Sequence, residues 1–206
     1  TKLIHPFVNS IPLRVAEIAE QSNRSLVILP VDRRQVPLFI YGAGHVGRAV
    51  VPRLHGLGFD VFLVDVAASR FPAHDGNAAS HLVAQQPDII AARAPADSVH
   101  LVMTHDHALD EAICHTILLR GEFGFLGLIG SATKKARFVR RLRQAGVTPQ
   151  MMERLVCPIG IAEINDKAPN MVAMSVAVQL VLWLQATGNC RSESFEPMGV
   201  SGVKNG

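Results

Sequence analysis

Residues 38–50 read LFIYGAGHVGRAV. A short apolar run, Leu38 to Tyr41, enters a loop with glycines at 42, 44 and 47, and helical spacing follows at once. Glycine permits a tight turn, a close approach of backbone to a phosphate and close contact between helix and strand. The helix start then offers free N–H groups and a partial positive charge to an anion. Downstream, DVFLVD (Asp60 to Asp65) reads as a second buried strand. Asp65 lies eighteen residues beyond Gly47, where such loops keep the acid that holds a ribose hydroxyl. A strand-to-helix turn without a ligand uses similar glycines. The strand before and the helix after favour the ligand, without saying which one.

Working outward, the first helix is expected to run to about Leu57 and end at Gly58, with Pro52 predicting a kink or a late start. Further strands are read at His81 to Ala84, Val99 to Met103, Phe125 to Ile129 and Val156 to Ile159. Helices are read from Pro87, over Leu109 to Leu119, over Thr133 to Gln144 with Gly146 closing it, from Thr148-Pro149, and over Pro169 to Ala186 before Gly188. Before the glycine loop, Arg14 to Glu20 reads as a short helix and Ser25 to Val31 as a strand. Short, apolar, non-alternating strands that alternate with helices mark an α/β fold: a Rossmann-like, doubly wound, mostly parallel sheet with helices on both faces. The expected organisation is an arm or domain remnant over 1–36, a cofactor-binding domain over 37–188 and a polar, flexible tail over 189–206.

Composition narrows the classes. Of 206 residues, 49% are hydrophobic and 18% charged, as in a well-buried globular protein. The formal net charge of +3 is too mild for a nucleic-acid binder. The longest apolar run, Met171 to Leu184, is broken by Ser175 and Gln179 and so argues against a membrane span. No signal peptide opens the chain. Cys114, Cys157 and Cys190 are widely spaced and form no CxxC, which points to a reduced, cytoplasmic setting.

Ligands of doubly wound sheets bind beyond the carboxyl ends of the strands. Three further motifs fall there. Thr104-His105-Asp106-His107, with Asp110, follows the fourth strand, which should neighbour the first and face the glycine loop. These residues suit ligand contacts, a metal, or capping of the next helix. Ser131, after GLIG, suits an N-cap, with Lys134 or Arg137 near a second anion site; a capped helix with a solvated basic face is the plainer reading. Cys157, in CPIG, is either a thiol facing the crevice or a small buried hydrophobe. The helix from Pro169 is apolar nearly all round, so it is central to the core or shared with a second subunit.

Taken together, FIYGAGHVGRA, VMTHDHALDEAI, FGFLGLIGSATKKARF and VCPIG…APNMVAMSVAVQL resemble the XdhC/CoxI family, the xanthine dehydrogenase accessory proteins, over roughly Pro37 to Leu184. The resemblance implies a chaperone more than an enzyme, with no catalytic residues. Such a protein binds the molybdenum cofactor (molybdopterin), protects it, and delivers it to the molybdenum-binding subunit of xanthine dehydrogenase, with a cofactor sulfurase as a further partner. It also implies Gly42, Gly44, His45, Gly47, Ser131 and Lys134 as phosphate or pterin contacts, and Thr104, His105, Asp106, His107 and Cys157 as crevice contacts. A homodimer is expected through the last helix. Asp65, an acid suited to a ribose, keeps open an NAD(P)-dependent oxidoreductase. A metal hydrolase on His105, His107 and Asp110 is a third reading, set back by off-register spacing.

Overall fold

In the computed structural model, strand β1 (Val36–Tyr41) lies inside a six-stranded sheet. The others are β2 (Phe59–Asp65), β3 (Ser80–Val83), β4 (Val99–Val102), β5 (Phe125–Leu128) and β6 (Leu155–Val156). Their order is β3-β2-β1-β4-β5-β6, every pair parallel. The structure describes residues 35–188 except 75, 77 and 165. The expectations for the arm, its helix and strand, and the tail lie outside the described residues.

Alternation along the strands builds two apolar layers. Val36, Leu38 and Ile40 face one side, with Val50, Val51 and Leu54 of helix α1 (His45–Leu54) and Val176, Leu180 and Leu184 of helix α6 (Pro169–Ala186). Phe39 and Tyr41 face the other, with Ile113, Ile117 and Leu118 of α3 (His107–Arg120) and Phe138 and Leu142 of α4 (Ala132–Gln144). Helices α2 (Pro87–Arg93) and α5 (Pro149–Glu153) lie on this second side. Both faces of the sheet are thus covered, which is what all-parallel pairing requires.

Three of the boundaries that differ from expectation have a clear local reason. Helix α1 starts directly at the glycine loop but stops at Leu54, not Leu57. Pro52 withdraws the N–H owed to the Arg48 carbonyl, and the helix ends two residues later. Helix α3 begins two residues early because the Asp106 carboxylate caps it, accepting from the Ala108 N–H at 2.8 Å. β6 has two residues because Pro158 has no N–H for the ladder, although the Ile159 N–H still reaches the Leu128 carbonyl at 3.1 Å.

Helix α6 is, among the described residues, the one helix long and apolar enough to cross a membrane by length and composition. Its two polar interruptions are spent inside the protein. Ser175 Oγ accepts from the Ile161 N–H at 2.6 Å, and Gln179 Oε1 accepts from the Gly160 N–H at 2.8 Å. Spaced four apart, they lie on one face and hold the loop that follows CPIG. Gly160 has φ +100°, and a Cβ there would stand 2.5 Å from Ser175 Oγ.

Candidate functional site

The register sets Tyr41 beside both Val64 and Val102, and Val102 beside Leu128. The loops after β2, β1, β4 and β5 therefore emerge in a row along one edge of the sheet. The three glycines of the first loop differ in what they meet. Gly42 has φ +111°, and a Cβ there would fall 2.5 Å from the Met103 carbonyl oxygen. A Cβ on Gly47 would fall 2.0 Å from the Gly42 carbonyl oxygen. Both positions are thus dictated by the protein's own backbone. Gly44 has an ordinary φ of −75°, and a Cβ there would meet nothing within 4 Å. Among the described residues, neither backbone strain nor packing demands glycine at 44.

Gly44 is also the N-cap of α1. It brings no capping side chain, and the first turn holds no acid. The first-turn N–H groups of His45, Val46 and Gly47 have no acceptor within the helix and stand at its positive end. His45 is exposed beside them.

Asp65 is placed differently from the ribose acid expected of it. One carboxylate oxygen accepts from the Ala43 N–H at 2.7 Å, and the other accepts from its neighbour Val66 at 2.7 Å. The side chain is buried and fastens the glycine loop to the end of β2. Arg70, at the end of a short turn after β2 (Ala68–Arg70), puts Nε 3.4 Å from the same carboxylate. Its two terminal nitrogens rest 3.1 and 3.2 Å from the two ring nitrogens of His105. Arg70 thus reaches from the β2 side to the loop after β4, past β1 between them. Next to the Asp65 and His105 that it touches, Tyr41, Gly42, Thr104 and Leu109 close with those two on a cavity of about 10 Å³, room for a single water.

On the other side of β4, Asp110 is fully buried. It accepts from the Thr104 N–H at 3.0 Å, the Thr104 hydroxyl at 2.7 Å and Lys134 Nζ at 2.9 Å. Lys134 also donates to the Ile129 carbonyl at 3.2 Å, and its stem lies where a Cβ on Gly130 would go. Ser131 caps α4, accepting from the Lys134 N–H at 3.2 Å. Lys134, Thr104 and Ser131 therefore stand at the crevice with their polar atoms already partnered. His107 is exposed on the first turn of α3. Among the described residues, no three His, Cys, Asp or Glu side chains are grouped to hold a metal ion.

The XdhC Rossmann domain family matches residues 38–180. The chain belongs to this XdhC family. The Escherichia coli (strain K12) uncharacterized protein YqeB is 28% identical over 163 residues, which is 75% of this chain and 28% of YqeB. The crystal structure of a Bacillus halodurans protein described as a xanthine dehydrogenase is 25% identical with a TM-score of 0.62, over 79% of this chain and 45% of that one. The chain thus spans less than half the length of these two relatives.

In this XdhC domain the CPIG thiol turns away from the expected crevice position. Leu155 and Cys157 point into the layer under α3 and α4, while Val156 points to the other face. Cys157 is 4% exposed, and burial pushes its thiol up, away from the thiolate a metal or electrophile needs. Arg70 is the residue the sequence reading missed. It sits in a turn without periodicity, and its partner His105 lies thirty-five residues on. An arginine five residues beyond the β2 acid was the available signal.

Proposed function

We propose that the crevice binds the phosphate-bearing molybdenum cofactor and that the chain serves as the cofactor-holding part of an accessory protein. Its client is the molybdenum-binding subunit of a xanthine dehydrogenase-type enzyme, with a cofactor sulfurase as a further partner. The observation that carries this reading is Gly44. Its missing side chain leaves open space in front of an uncapped helix start, and no described residue packs where its Cβ would be. Open space in front of free N–H donors at a helix start suits a phosphate group. The N–H groups of His45, Val46 and Gly47 would hold one side of the phosphate, and His105 lines the small cavity next to the glycine loop. When bound, the cofactor supplies the molybdenum and dithiolene chemistry that the client enzyme uses.

Binding rather than catalysis is favoured by how the acids are used. Asp65 fastens the glycine loop, Asp106 caps α3 and Asp110 pairs with Lys134. Each of these three described carboxylates is thus engaged in holding the fold, which is not how a free general acid or base is kept. The same commitment of Asp65 weakens the NAD(P)-dependent oxidoreductase reading, which counts on that acid for a ribose. Exposed Met171, Met174, Val178 and Leu182 form one stripe on α6, which supports a homodimer. Cys114 and Cys157 are free thiols, in keeping with a reducing cytoplasm.

The test is anaerobic loading with molybdenum cofactor followed by gel filtration, with NADH titrated in parallel. Wild-type protein should carry the pterin through the column and Gly44→Asp should lose it. A pterin that washes off the wild type while NADH binds in a saturable way overturns the reading.

A further inference from the structure

Asp65 and Arg70 divide the work at the end of β2 in an unusual way. In a dinucleotide site the acid at this position faces the ligand and takes a neutral ribose diol. Here both oxygens of Asp65 face backbone N–H groups at 2.7 Å, and the carboxylate is turned into the loop. The group left at the mouth on this side is the Arg70 guanidinium. Its resting partner is a poor one. A guanidinium carries five donors, and a neutral imidazole accepts at one nitrogen only, so the two contacts to His105 cannot both be hydrogen bonds. The pairing with Asp65 is long, at 3.4 Å, and the arginine side chain is 38% exposed, where such pairs contribute little. A planar cation that is held loosely, aimed across a crevice and matched to bidentate oxyanions is built to change partners.

We infer that Arg70 recognises a phosphate monoester at the β2 side of the crevice and gives up His105 when that group arrives. This end of the site therefore reads an anion, not a ribose diol. The inference rests on the proposed reading of the crevice as the ligand site. Two sources supply such a group: the phosphate of a pterin cofactor, gripped on its other side by the helix start, and the 2′-phosphate of a nucleotide.

The experiment is calorimetric titration with adenosine 2′,5′-bisphosphate and with 5′-AMP, which differ only in that monoester. Wild-type protein should take the bisphosphate at least tenfold more tightly. Arg70→Ala should bind both equally, and Arg70→Lys should recover part of the preference. The ring resonances of His105 should shift with bisphosphate and stay put with AMP. Fold is checked by circular dichroism, since Asp65 keeps both backbone bonds in Arg70→Ala. Equal binding of the two probes by wild type, no binding of either, or a preference that survives Arg70→Ala overturns the assignment. Gly44→Asp separates the two failures: if it abolishes binding while Arg70→Ala changes nothing, the crevice reading stands and the role of Arg70 falls. Pterin retention by Arg70→Ala distinguishes the sources. Lost retention together with lost preference assigns the cofactor's phosphate, and kept retention with lost preference assigns a nucleotide's. Either supports the inference.

Discussion

Lys134 Nζ lies 2.9 Å from the Asp110 carboxylate, across a pairing of the first turns of two helices in which the acid has no exposure to solvent. The lysine side chain is 19% exposed, so its charge is largely consumed by this contact. Removing one member of such a pair strands a buried charge, which typically costs about 3–5 kcal/mol. Thr104 still donates twice to Asp110, so Lys134→Met should fall at the low end, about 3 kcal/mol. The chemical-denaturation midpoint of Lys134→Met measures it, and Lys134→Met with Asp110→Leu should regain part of the loss. A stable Lys134→Met that has lost only pterin retention would make Lys134 a ligand residue instead.

The three loop glycines should separate under substitution to alanine. Gly42→Ala and Gly47→Ala drive a Cβ into backbone and should each destabilise by about 2 kcal/mol or more. Gly44→Ala places its methyl in open space and should cost about 1 kcal/mol or less, the difference between glycine and alanine at an N-cap. Ligand retention should nonetheless weaken in Gly44→Ala. Thermal melts and pterin gel filtration on the three variants decide it.

His100 gives the protein an acid sensitivity. The ring is buried on β4 beside the Tyr41 hydroxyl, at 3.1 Å from Nδ1. Burial first, then the nearby Arg120 cation, lowers its pKa to about 3. Between about pH 6.5 and 3 the unfolded chain binds a proton there that the folded chain does not. Stability should therefore drop as pH falls through that window, by about 1.4 kcal/mol per unit from this ring. His100→Phe should have a shallower slope over the same range in denaturation curves taken at several pH values.

Cys157 and Cys114 should be slow to label. Both are buried, and burial pushes both thiols up, so little thiolate forms at neutral pH. Mass mapping after a short iodoacetamide pulse should find both unmodified in native protein and modified in urea. Rapid native labelling of Cys157 would show a reactive thiol at the crevice.

The alternation of strands and helices, the strand–loop–helix around Gly42 to Gly47 and the whole span of α6 were legible because each is written in local periodicity and punctuation. The partners of polar groups were not. Asp65 sits where spacing puts it, but nothing in the spacing says that it turns toward Ala43 instead of a ribose. Lys134 reads as a free cation on a basic helix because its acid lies twenty-four residues earlier, on another helix. Ser175 and Gln179 were visible as breaks in an apolar run. That they hold Gly160 and Ile161 depends on a loop whose course the sequence does not encode locally.

The packing of α6 against α1 joins the two ends of the described chain, where Arg53 donates to Asn170 across 117 residues. A chain leaving the ribosome would complete β1 to β6 before Pro169–Ala186 emerged, leaving bare the part of the sheet that α6 covers. The nascent domain is adhesive on that face until α6 emerges. A C-terminal truncation that reaches α6 would leave it so permanently and should convert a soluble product into an aggregate.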